Sequence, residues 1–497
     1  MTQMAVTPMA AEAARTDSEF LSTLCGRLRP DAVIVEPTAL RTYECDGLTG
    51  FRVVPRAVVL AESADDVRQA VLTCAEFGVP YVARGAGTGL SGGALPTAEG
   101  IVISLQRMRR IIEVDPYNLR AVVQPGVTNV DITSAAAQFG LHFAPDPSSQ
   151  QVCTVGGNVA ENSGGAHCLK YGFTVHHVLE LEAVLADGSV VRLGGANREQ
   201  VGYDLLAAFV GSEGTLGIVT KIVVRLVRNP VAVHTLCADF PTITAACEAV
   251  TRIIAAGIVP AAIEMMDALA IEASEAAVGA GYSLDTAAAL IVEVDGPAAE
   301  SKVEFDAVNQ ICRDTGTTKI RIAGDAAERA VIWRGRKAAF AAVGRISPDY
   351  IVQDGVVPRT SLGEVLSRIA EMAAEANMRV ANVFHAGDGN LHPLVLYSEA
   401  KGQLERAEEL SRDIAELCVD MGGSLSGEHG IGTDKACSMP RMFSESDLAA
   451  MWHLRGAFDP KGLCNPGKLL PTPRLCGEKP GVYVPHPLEA SGDIERF

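Results

Sequence analysis

The stretch Arg84-Gly-Ala-Gly-Thr-Gly-Leu-Ser-Gly-Gly-Ala94 places five glycines within nine positions, directly after the apolar run Val79–Ala83. The apolar run is typical of a short strand. Because glycine lacks Cβ and tolerates positive φ, consecutive backbone N–H groups can converge there on anionic oxygens. The stretch therefore predicts a loop that holds a pyrophosphate, with a glycine-rich surface turn as the alternative.

Gly87, Gly89 and Gly92 match the dinucleotide pattern G-x-G-x-x-G by letter. That fingerprint requires a helix that opens at the third glycine. Here Pro96 and then an apolar strand, Ile101–Leu105, follow instead, so no crossover helix fits. We therefore exclude a nicotinamide-binding Rossmann fold.

The composition describes a globular protein large enough for two or three domains, with 497 residues, 48% hydrophobic and 21% charged. A net charge of −18 disfavours nucleic acid as a partner, and an anionic substrate would need a local cation. No apolar stretch reaches membrane-spanning length, and residues 1–14 lack the basic segment of a signal peptide. We expect a cytoplasmic protein.

Two further glycine-rich segments follow the loop along the chain. The first is Thr154–Gly165, with Pro145 before it and Tyr171-Gly172 after it, and the second is Gly211–Ile218. Their glycines, asparagines and serines offer flexible backbone and neutral hydrogen-bond partners, which suits a large heterocycle with a ribityl chain. Ordinary turns are the alternative for either segment alone.

These three segments resemble the FAD-binding domain of the vanillyl-alcohol oxidase and p-cresol methylhydroxylase flavoproteins, over residues 54–228. In that family the first loop holds the FAD pyrophosphate, and the later segments hold the isoalloxazine and adenine parts. Some members attach the flavin to a histidine near the first loop. Because this loop has no histidine, the resemblance implies non-covalent FAD.

Past Pro230 the chain shows two similar halves, each a strand, a helix and a strand, over Val231–Met265 and Ala287–Ile322. Such split β-α-β halves predict a ferredoxin-like domain with an antiparallel sheet and helices on one face. We interpret this domain as a cap over the flavin. A separate domain without a part in the chemistry is the alternative.

Two histidines flank a Gly-Asp-Gly-Asn turn between the apolar runs Val380–Phe384 and Pro393–Tyr397, so His385 and His392 can face each other across a hairpin. Glu428, in a later glycine-rich segment, adds a carboxylate. Two His and one Glu form a ligand set for a catalytic divalent metal, with zinc or manganese as the ion. A core hydrogen bond is the alternative for His385 taken alone.

The remaining polar residues suggest a catalytic base and a cationic side chain that binds the substrate. His429 cannot easily bind the same ion as its neighbour Glu428, and a near-neutral imidazole beside a metal is suited to general-base catalysis. Arg334, Arg336 and Lys337 concentrate positive charge, and a guanidinium can grip a carboxylate with two parallel bonds. At least one of these three cations belongs instead to a solvated helix face.

Together with Phe458–Lys468, these segments resemble the FAD-linked subunits of bacterial glycolate oxidases, over residues 35–470, with D-lactate and D-2-hydroxyglutarate dehydrogenases as close relatives. The resemblance implies oxidation of a small 2-hydroxy acid to the 2-oxo acid by hydride transfer to FAD. The residue roles that it implies are metal ligands at His385, His392 and Glu428, a proton-abstracting base at His429 and a carboxylate clamp at Arg336.

The residues that we expect to contact FAD come from the three glycine-rich segments and from a C-terminal return segment, residues 465–467. They are Arg84, Gly85, Gly87, Thr88, Gly89, Ser91, Gly92, Pro145, Gly156, Gly157, Asn158, Asn162, Gly164, Gly165, Tyr171, Gly172, Gly211, Glu213, Gly214, Thr215, Gly217, Ile218 and Asn465.

One departure from the resemblance bears on the substrate. Pro393 and Leu394 follow His392, and Phe340 stands where the hydroxyglutarate enzymes place a polar contact. The pocket is therefore poorer in groups for a distal carboxylate, which favours glycolate or D-lactate over D-2-hydroxyglutarate. A metal-dependent hydrolase would leave the glycine-rich segments unexplained, and an electron-transfer subunit without its own substrate site would leave the predicted base and clamp idle.

The twelve cysteines form no C-x-x-C pair and fit no iron–sulfur cluster. Since no second cofactor motif is present either, we expect electrons to leave to separate subunits or to a soluble acceptor, as in multi-subunit glycolate oxidases. Such partner subunits would bring the chain to the inner face of the membrane.

The sequence as a whole predicts an α+β protein made of a two-part FAD-binding domain of the p-cresol methylhydroxylase type and a ferredoxin-like cap. The predicted segments are an N-terminal lead-in (1–53), the FAD-binding domain (54–230), the cap (231–425), a C-terminal segment that returns to the flavin site (426–471) and an extended tail (472–497).

Overall fold

A computed structural model describes residues 8–195 and 202–472, so the predicted tail lies outside the described residues from position 473 onward. The helices of the N-terminal lobe are α1 (Pro8–Arg27), α2 (Pro37–Leu40), α3 (Ala64–Phe77), α4 (Asn129–Ala136), α5 (Val155–Glu161), α6 (Cys168–Tyr171) and α7 (Leu205–Phe209). Its strands are β1 (Val33–Ile34), β2 (Ala57–Leu60), β3 (Tyr81–Arg84), β4 (Ile101–Ser104), β5 (Ile111–Asp115), β6 (Arg120–Val123), β7 (Leu141–His142), β8 (Val178–Val184), β9 (Val190–Gly194), β10 (Ile218–Arg225) and β11 (Val227–Arg228).

The strands of the N-terminal lobe form two main sheets, as the predicted two-part FAD-binding fold requires. In the first, of order β1-β2-β4-β3, both β2 and β3 run parallel to β4. The second is an antiparallel sheet of order β5-β6-β10-β8-β9. The lead-in belongs to the first part, since β1 pairs with β2, and Phe20 and Leu24 of α1 are buried in the same core as β2 and β4.

Helix α3 shows how local sequence sets the position of the glycine loop. Ser63 and Asp66 form a capping box at its start, and Gly78 ends it in the left-handed conformation. Val67 and Val71 lie on its buried face and pack in the core of the first sheet. Strand β3 then leads into the glycine loop, which runs to β4 without a helix, as predicted.

The cap is built from a longer stretch of alternating strands and helices. Its strands are β12 (Ala232–Phe240), β13 (Ala262–Asp267), β14 (Ala288–Gly296), β15 (Lys319–Ile322), β16 (Asp349–Val352), β17 (Gly355–Val356), β18 (Arg379–His385), β19 (Asn390–Leu391) and β20 (Pro393–Tyr397). Its helices are α8 (Ile243–Ala255), α9 (Ala268–Val278), α10 (Ala298–Asp314), α11 (Ala326–Ala342), α12 (Leu362–Glu375) and α13 (Leu404–Asp420).

The first four strands of the cap lie in the antiparallel order β15-β12-β14-β13, which is the predicted ferredoxin-like arrangement. Strand β18 extends this sheet beyond β13 and pairs His385 with Glu264. The prediction of helices on one face is wrong, because α9 and α11 supply a second layer on the opposite face. Alternate residues of β12 show both layers, since Leu236 packs in the core with α8, α10, α12 and α13, and Cys237 packs in the core with α9 and α11.

Two C-terminal helices, α14 (Met439–Met442) and α15 (Glu445–Phe458), precede a segment that returns to the N-terminal lobe, as predicted. Cys464 forms a parallel bridge with Tyr81 of β3. The Asn465 side-chain amide donates hydrogen bonds to the carbonyl oxygens of Gly93 (2.8 Å) and Glu213 (2.6 Å). The return segment thus joins the glycine loop to the third glycine-rich segment. Within the described ranges, every helix is too short or too polar to cross a membrane.

Candidate active site

A cavity of about 1780 Å³ lies where the glycine-rich segments, the cap and the C-terminal segment meet. The cap contributes Phe340 and His392 to its wall, and the C-terminal segment contributes Glu428 and His429. The predicted FAD contacts that line it are Arg84, Gly85, Gly87, Thr88, Gly89, Gly156, Gly157, Asn158, Glu213, Gly214, Gly217 and Ile218. The segments that we expect to hold FAD and the predicted reaction centre therefore line the same cavity.

The glycine loop leaves room for a ligand close to its backbone. Gly87 has a φ of +70°, and a Cβ at this position would overlap the Arg84 guanidinium. A Cβ on Gly89 would instead meet nothing closer than Glu161 Oε1 at 3.9 Å, so this position faces the open cavity. Arg84 is itself fixed by a hydrogen bond from Nη1 to the Cys45 carbonyl oxygen (2.8 Å). These features fit the close approach of an FAD pyrophosphate.

The other predicted FAD contacts do not line the cavity, and some of them support the segments that do. The Ser91 carbonyl oxygen accepts from the N–H groups of Thr433 (3.0 Å) and Asp434 (3.1 Å), and Asn162 ends helix α5. Sequence spacing could not separate the two groups, because it does not reveal which side of a loop faces the ligand. The residues outside the lining are Ser91, Gly92, Pro145, Asn162, Gly164, Gly165, Tyr171, Gly172, Gly211, Thr215 and Asn465.

Part of the second glycine-rich segment is helical, although the sequence suggests flexible backbone there. Thr154 caps helix α5, and its Oγ1 accepts from the Gly157 N–H (3.3 Å). Gly156 has no space for a side chain, since a Cβ would lie 2.6 Å from the Cβ of Pro125. Further along, a Cβ on Gly164 would lie 2.7 Å from Glu428 Oε2. Gly156 thus allows close packing against Pro125, and Gly164 allows close packing against Glu428.

The three predicted metal ligands converge on one point. His385 Nε2 and His392 Nε2 lie 3.1 Å and 3.0 Å from the same oxygen, Glu428 Oε1. The two imidazole rings are 5.0 Å apart and nearly perpendicular, so the histidines do face each other across the turn, as predicted. One ligand atom from each of the three residues lies within 4.8 Å of the others. Two imidazoles and a carboxylate at this spacing fit a divalent cation.

The outer nitrogens of both histidines are engaged as well. His385 Nδ1 lies 2.7 Å from Glu264 Oε1, and His392 Nδ1 lies 3.3 Å from the Gln353 carbonyl oxygen. Such partners fix the ring orientation and leave Nε2 for a metal. Burial alone would lower the pKa of His385, but the carboxylates of Glu264 and Glu428 raise it well above its usual range. The site therefore favours positive charge between these carboxylates.

Asp354 holds the backbone segment that carries Glu428 and His429. Its carboxylate accepts hydrogen bonds from the Ser426 hydroxyl (2.5 Å) and from the N–H groups of Gly427 (3.0 Å), Glu428 (3.1 Å) and His429 (2.8 Å). Burial would raise the pKa of Asp354, but nearby positive groups lower it to about 2. Asp354 is therefore ionised at neutral pH and fixes the backbone of this segment, which carries the predicted ligand Glu428.

The His429 ring is stacked on the His392 ring, with centroids 4.9 Å apart and planes only 4° from parallel. Its Nδ1 is buried and has no hydrogen-bond partner among the described residues. Desolvation lowers the pKa of His429 to about 4, although the Asp354 carboxylate opposes this change. This value is well below the near-neutral one expected from the sequence, so the ring is uncharged at pH 7 and can accept a proton.

Arg336 lies buried against Glu264. Its Nε and Nη2 are 2.8 Å and 2.6 Å from Glu264 Oε2, and its guanidinium lies 5.5 Å from the centre of the Phe340 ring. Lys337, the next residue on α11, lines the cavity, whereas Arg336 does not. Glu264 thus joins Arg336 to His385, and the carboxylate clamp at Arg336 stays a prediction.

Sequence reasoning missed two residues of this site, Glu264 and Asp354, which are both 0% exposed. Each is an acidic residue within or beside an apolar strand, Ala262–Asp267 for the first and Asp349–Val352 for the second. Carboxylates are rarely buried unless they are paired. An acid in an otherwise apolar run is therefore the signal that could have found them.

Two family profiles match the chain. The FAD binding domain profile matches residues 55–194, and the profile of the C-terminal domain of FAD linked oxidases matches residues 229–469. The chain is 47% identical over 456 residues to glycolate oxidase subunit GlcD of Escherichia coli strain K12, which covers 92% of this chain and 91% of that protein. It is 35% identical to a D-lactate dehydrogenase of Archaeoglobus fulgidus, with 87% and 95% covered.

Solved structures agree with the two-part FAD-binding fold. A structure of p-cresol methylhydroxylase has a TM-score of 0.77 at 17% identity, with 92% of this chain and 97% of that chain covered. A structure of 4-ethylphenol oxidase from Gulosibacter chungangensis has a TM-score of 0.75 at 19% identity, with 93% and 98% covered. At these identities the likeness shows the fold alone. The family profiles and the relatives together show that the chain belongs to the FAD-linked oxidases.

Proposed function

We propose that the protein oxidises a small 2-hydroxy acid, glycolate or D-lactate, to the 2-oxo acid, with FAD as the hydride acceptor. The observation that carries the proposal is the shared cavity, onto which the glycine-rich segments and the cluster of His392, Glu428 and His429 both open. A hydrolase built on the same cluster would have no use for the glycine-rich segments. The names of the relatives, a glycolate oxidase subunit and a D-lactate dehydrogenase, support the substrate class.

The residues of the chain would bind the substrate, take its proton and hold the cofactors. FAD, when bound against the glycine-rich segments, supplies the hydride acceptor. A divalent ion, zinc or manganese, would be held by the three predicted ligands and would polarise the α-hydroxyl group of the substrate. His429 accepts the hydroxyl proton, for which its uncharged ring is suited. Arg336 is the predicted clamp for the substrate carboxylate, and Lys337 is the neighbouring cation that lines the cavity.

The cavity wall near the reaction centre supports a short substrate. Phe340 is part of this wall, and its ring centroid lies 5.9 Å from that of His392. An apolar ring offers no hydrogen bond to a second, distal carboxylate, and a charge left without a partner there would be costly. Glycolate and D-lactate therefore suit the site better than D-2-hydroxyglutarate, which is the alternative substrate.

Electrons would leave the flavin for a separate subunit or a soluble acceptor. The residue clusters that could hold a metal, within the described part of the chain, consist of histidines and carboxylates and include no cysteine. The described residues thus offer no cysteine cluster for an iron–sulfur relay. The relative named as a subunit of glycolate oxidase supports partner subunits for this chain. A cytoplasmic location, at the membrane only through such partners, stays a prediction.

The visible spectrum tests the proposed function. The purified protein is expected to be yellow and to bleach anaerobically when glycolate or D-lactate is added, because hydride transfer reduces the bound flavin. D-2-Hydroxyglutarate at the same concentration is expected to bleach it more slowly. A colourless protein, or a flavin that no 2-hydroxy acid reduces, would overturn the proposal.

A valine at Gly89 tests whether the glycine loop holds FAD. Gly89 does not have a positive φ, and its Cβ direction is open, so Gly89→Val should fold but fill the space that the pyrophosphate needs. The variant is expected to purify as soluble protein with most of its flavin absorbance lost. Gly344→Val is the matched control, since Gly344 is exposed, has open space around it and lies outside the cavity lining. Full FAD content in Gly89→Val would contradict the assignment of the loop.

A further inference from the structure

Two carboxyl groups that the proposed reaction does not use approach the same point, beside Gly430, at the wall of the cavity. A Cβ built on Gly430 would touch Glu161 Oε2 and would lie 2.9 Å from Glu213 Oε1. Both glutamates line the cavity. Two ionised carboxylates that share a desolvated site repel each other strongly, and the usual outcome is that the pair retains one proton.

The hydrogen bonds indicate which of the two residues carries the negative charge. Glu213 accepts from the N–H groups of Ile431 and Gly432, both at 2.7 Å, and such bonds stabilise a carboxylate. Glu161 Oε2 is buried and has no hydrogen-bond partner among the described residues. No ion pair joins Glu161 to a cation in that part of the chain; Lys435 lies instead 3.7 Å from Asp354. These contacts favour the proton on Glu161 over the proton on Glu213.

The charges around the pair also favour the proton on Glu161 over the proton on Glu213. Burial raises the pKa of Glu161 well above its usual range, and the carboxylates of Glu213 and Asp46 add to the rise against the attraction of Lys435. Burial also raises the pKa of Glu213, to about 7, but the two N–H donors, Lys468 and Lys435 limit that rise. Glu161 is thus the more weakly acidic member of the pair.

Glu161 also reaches the glycine loop from the second glycine-rich segment. A Cβ on Gly93 would lie 2.6 Å from Glu161 Oε1, and one on Gly89 would lie 3.9 Å from it. The carboxyl group therefore lies beside the loop that we expect to hold the FAD pyrophosphate. That pyrophosphate carries negative charge, so an ionised Glu161 would repel it in a site of low dielectric constant. A neutral carboxylic acid would not repel it and has an O–H to donate.

We propose that Glu161 is a neutral carboxylic acid in the working protein and that retention of FAD depends on its proton. The inference rests on FAD binding and not on the identity of the substrate, so a failure to oxidise hydroxy acids would leave it intact. FAD affinity is highest while Glu161 is protonated, because the negative pyrophosphate of bound FAD opposes ionisation of the carboxyl group. Affinity falls as the pH rises above the pKa of Glu161 in the FAD-free protein.

The dissociation constant of FAD, measured by flavin fluorescence on the full chain from neutral to alkaline pH, tests this inference. The wild-type protein should lose up to about tenfold in affinity per pH unit once the proton leaves. Glu161→Gln, which mimics the neutral acid in shape, should bind FAD as tightly at neutral pH and should not show that loss. Glu405→Gln, which removes an exposed carboxylate from the rim of the same cavity, should follow the wild type.

Infrared spectroscopy provides a second readout that does not depend on FAD affinity. At neutral pH, the C=O band of protonated carboxyl groups should be weaker in Glu161→Gln than in the wild type and in Glu405→Gln. The proposal is overturned if Glu161→Gln loses FAD with the same pH dependence as the wild type. It is equally overturned if the protonated-carboxyl band of Glu161→Gln is as strong as that of the wild type.

Discussion

Replacing His429 with asparagine is expected to slow the anaerobic reduction of the flavin by glycolate or D-lactate by about 10²–10⁴-fold, the usual cost of a lost general base. Asparagine keeps a polar side chain of similar reach but has no basic nitrogen. In the wild type, desolvation lowers the pKa of His429 to about 4, so its proton-accepting form is present throughout the neutral range and is lost only as the pH falls through that value. Stopped-flow bleaching measures this step apart from any reoxidation by a partner.

The FAD and metal contents of His429→Asn distinguish loss of the base from damage to the site. Neither should change, because His429 is not one of the three predicted ligands and its backbone N–H, which bonds to Asp354, remains. His453→Asn, at an exposed histidine on α15, controls for the substitution itself. If His429→Asn reduces at the wild-type rate with saturating substrate, the base lies elsewhere, and His429 only supports the neighbouring His392 ring.

Removal of the metal is expected to abolish substrate oxidation while the flavin absorbance remains. Chelation or His392→Ala should act alike, because losing one of three ligands should cost more than the 10–100-fold in metal affinity that is typical of lost outer partners. None of the three ligands belongs to the three glycine-rich segments that we expect to hold FAD, so FAD binding should survive. Metal content by elemental analysis and turnover in the same samples check the prediction.

The identity of the ion follows from adding metals back to the chelated protein. Two imidazoles and one carboxylate suit both zinc and manganese, and return of activity with one of them would decide between the two. His453→Ala is the matched control for His392→Ala and should keep both metal and turnover. If protein shown to be free of metal oxidises its substrate at the original rate, the histidines and Glu428 form a structural hydrogen-bond cluster.

The sequence predicted those parts of the site that are close together in the chain. The His385–His392 hairpin, the Glu428-His429 pair and the capping box of α3 each depend on residues within a few positions, and the structure has all of them. Glu264 could not be found in this way, since 121 residues separate it from His385 and 72 separate it from Arg336. A single sequence does not show that β13 pairs with β18, which is what brings Glu264 to the site.

The sequence also does not show which residues of a segment face the cavity. The glycine-rich segments were recognised, but Gly89 faces the cavity whereas the neighbouring Ser91 and Gly92 do not. The backbone turns between these positions, and its direction depends on packing against Thr433 and Asp434, far along the chain. For the same reason, the sequence could suggest Arg336 as a substrate clamp, but its burial against Glu264 could not be foreseen.

The return segment determines when the cofactor site can form during synthesis. Cys464 and Asn465 join β3, the glycine loop and the third glycine-rich segment, yet they are among the last described residues to leave the ribosome. The cap sheet is contiguous in sequence, from β12 to β20, and all its strands emerge earlier. A nascent chain can therefore complete its cap while its FAD site still lacks the return segment. We therefore expect FAD capture to be a late event, since a chain that terminates before this segment would lack the contacts of Asn465 to Gly93 and Glu213.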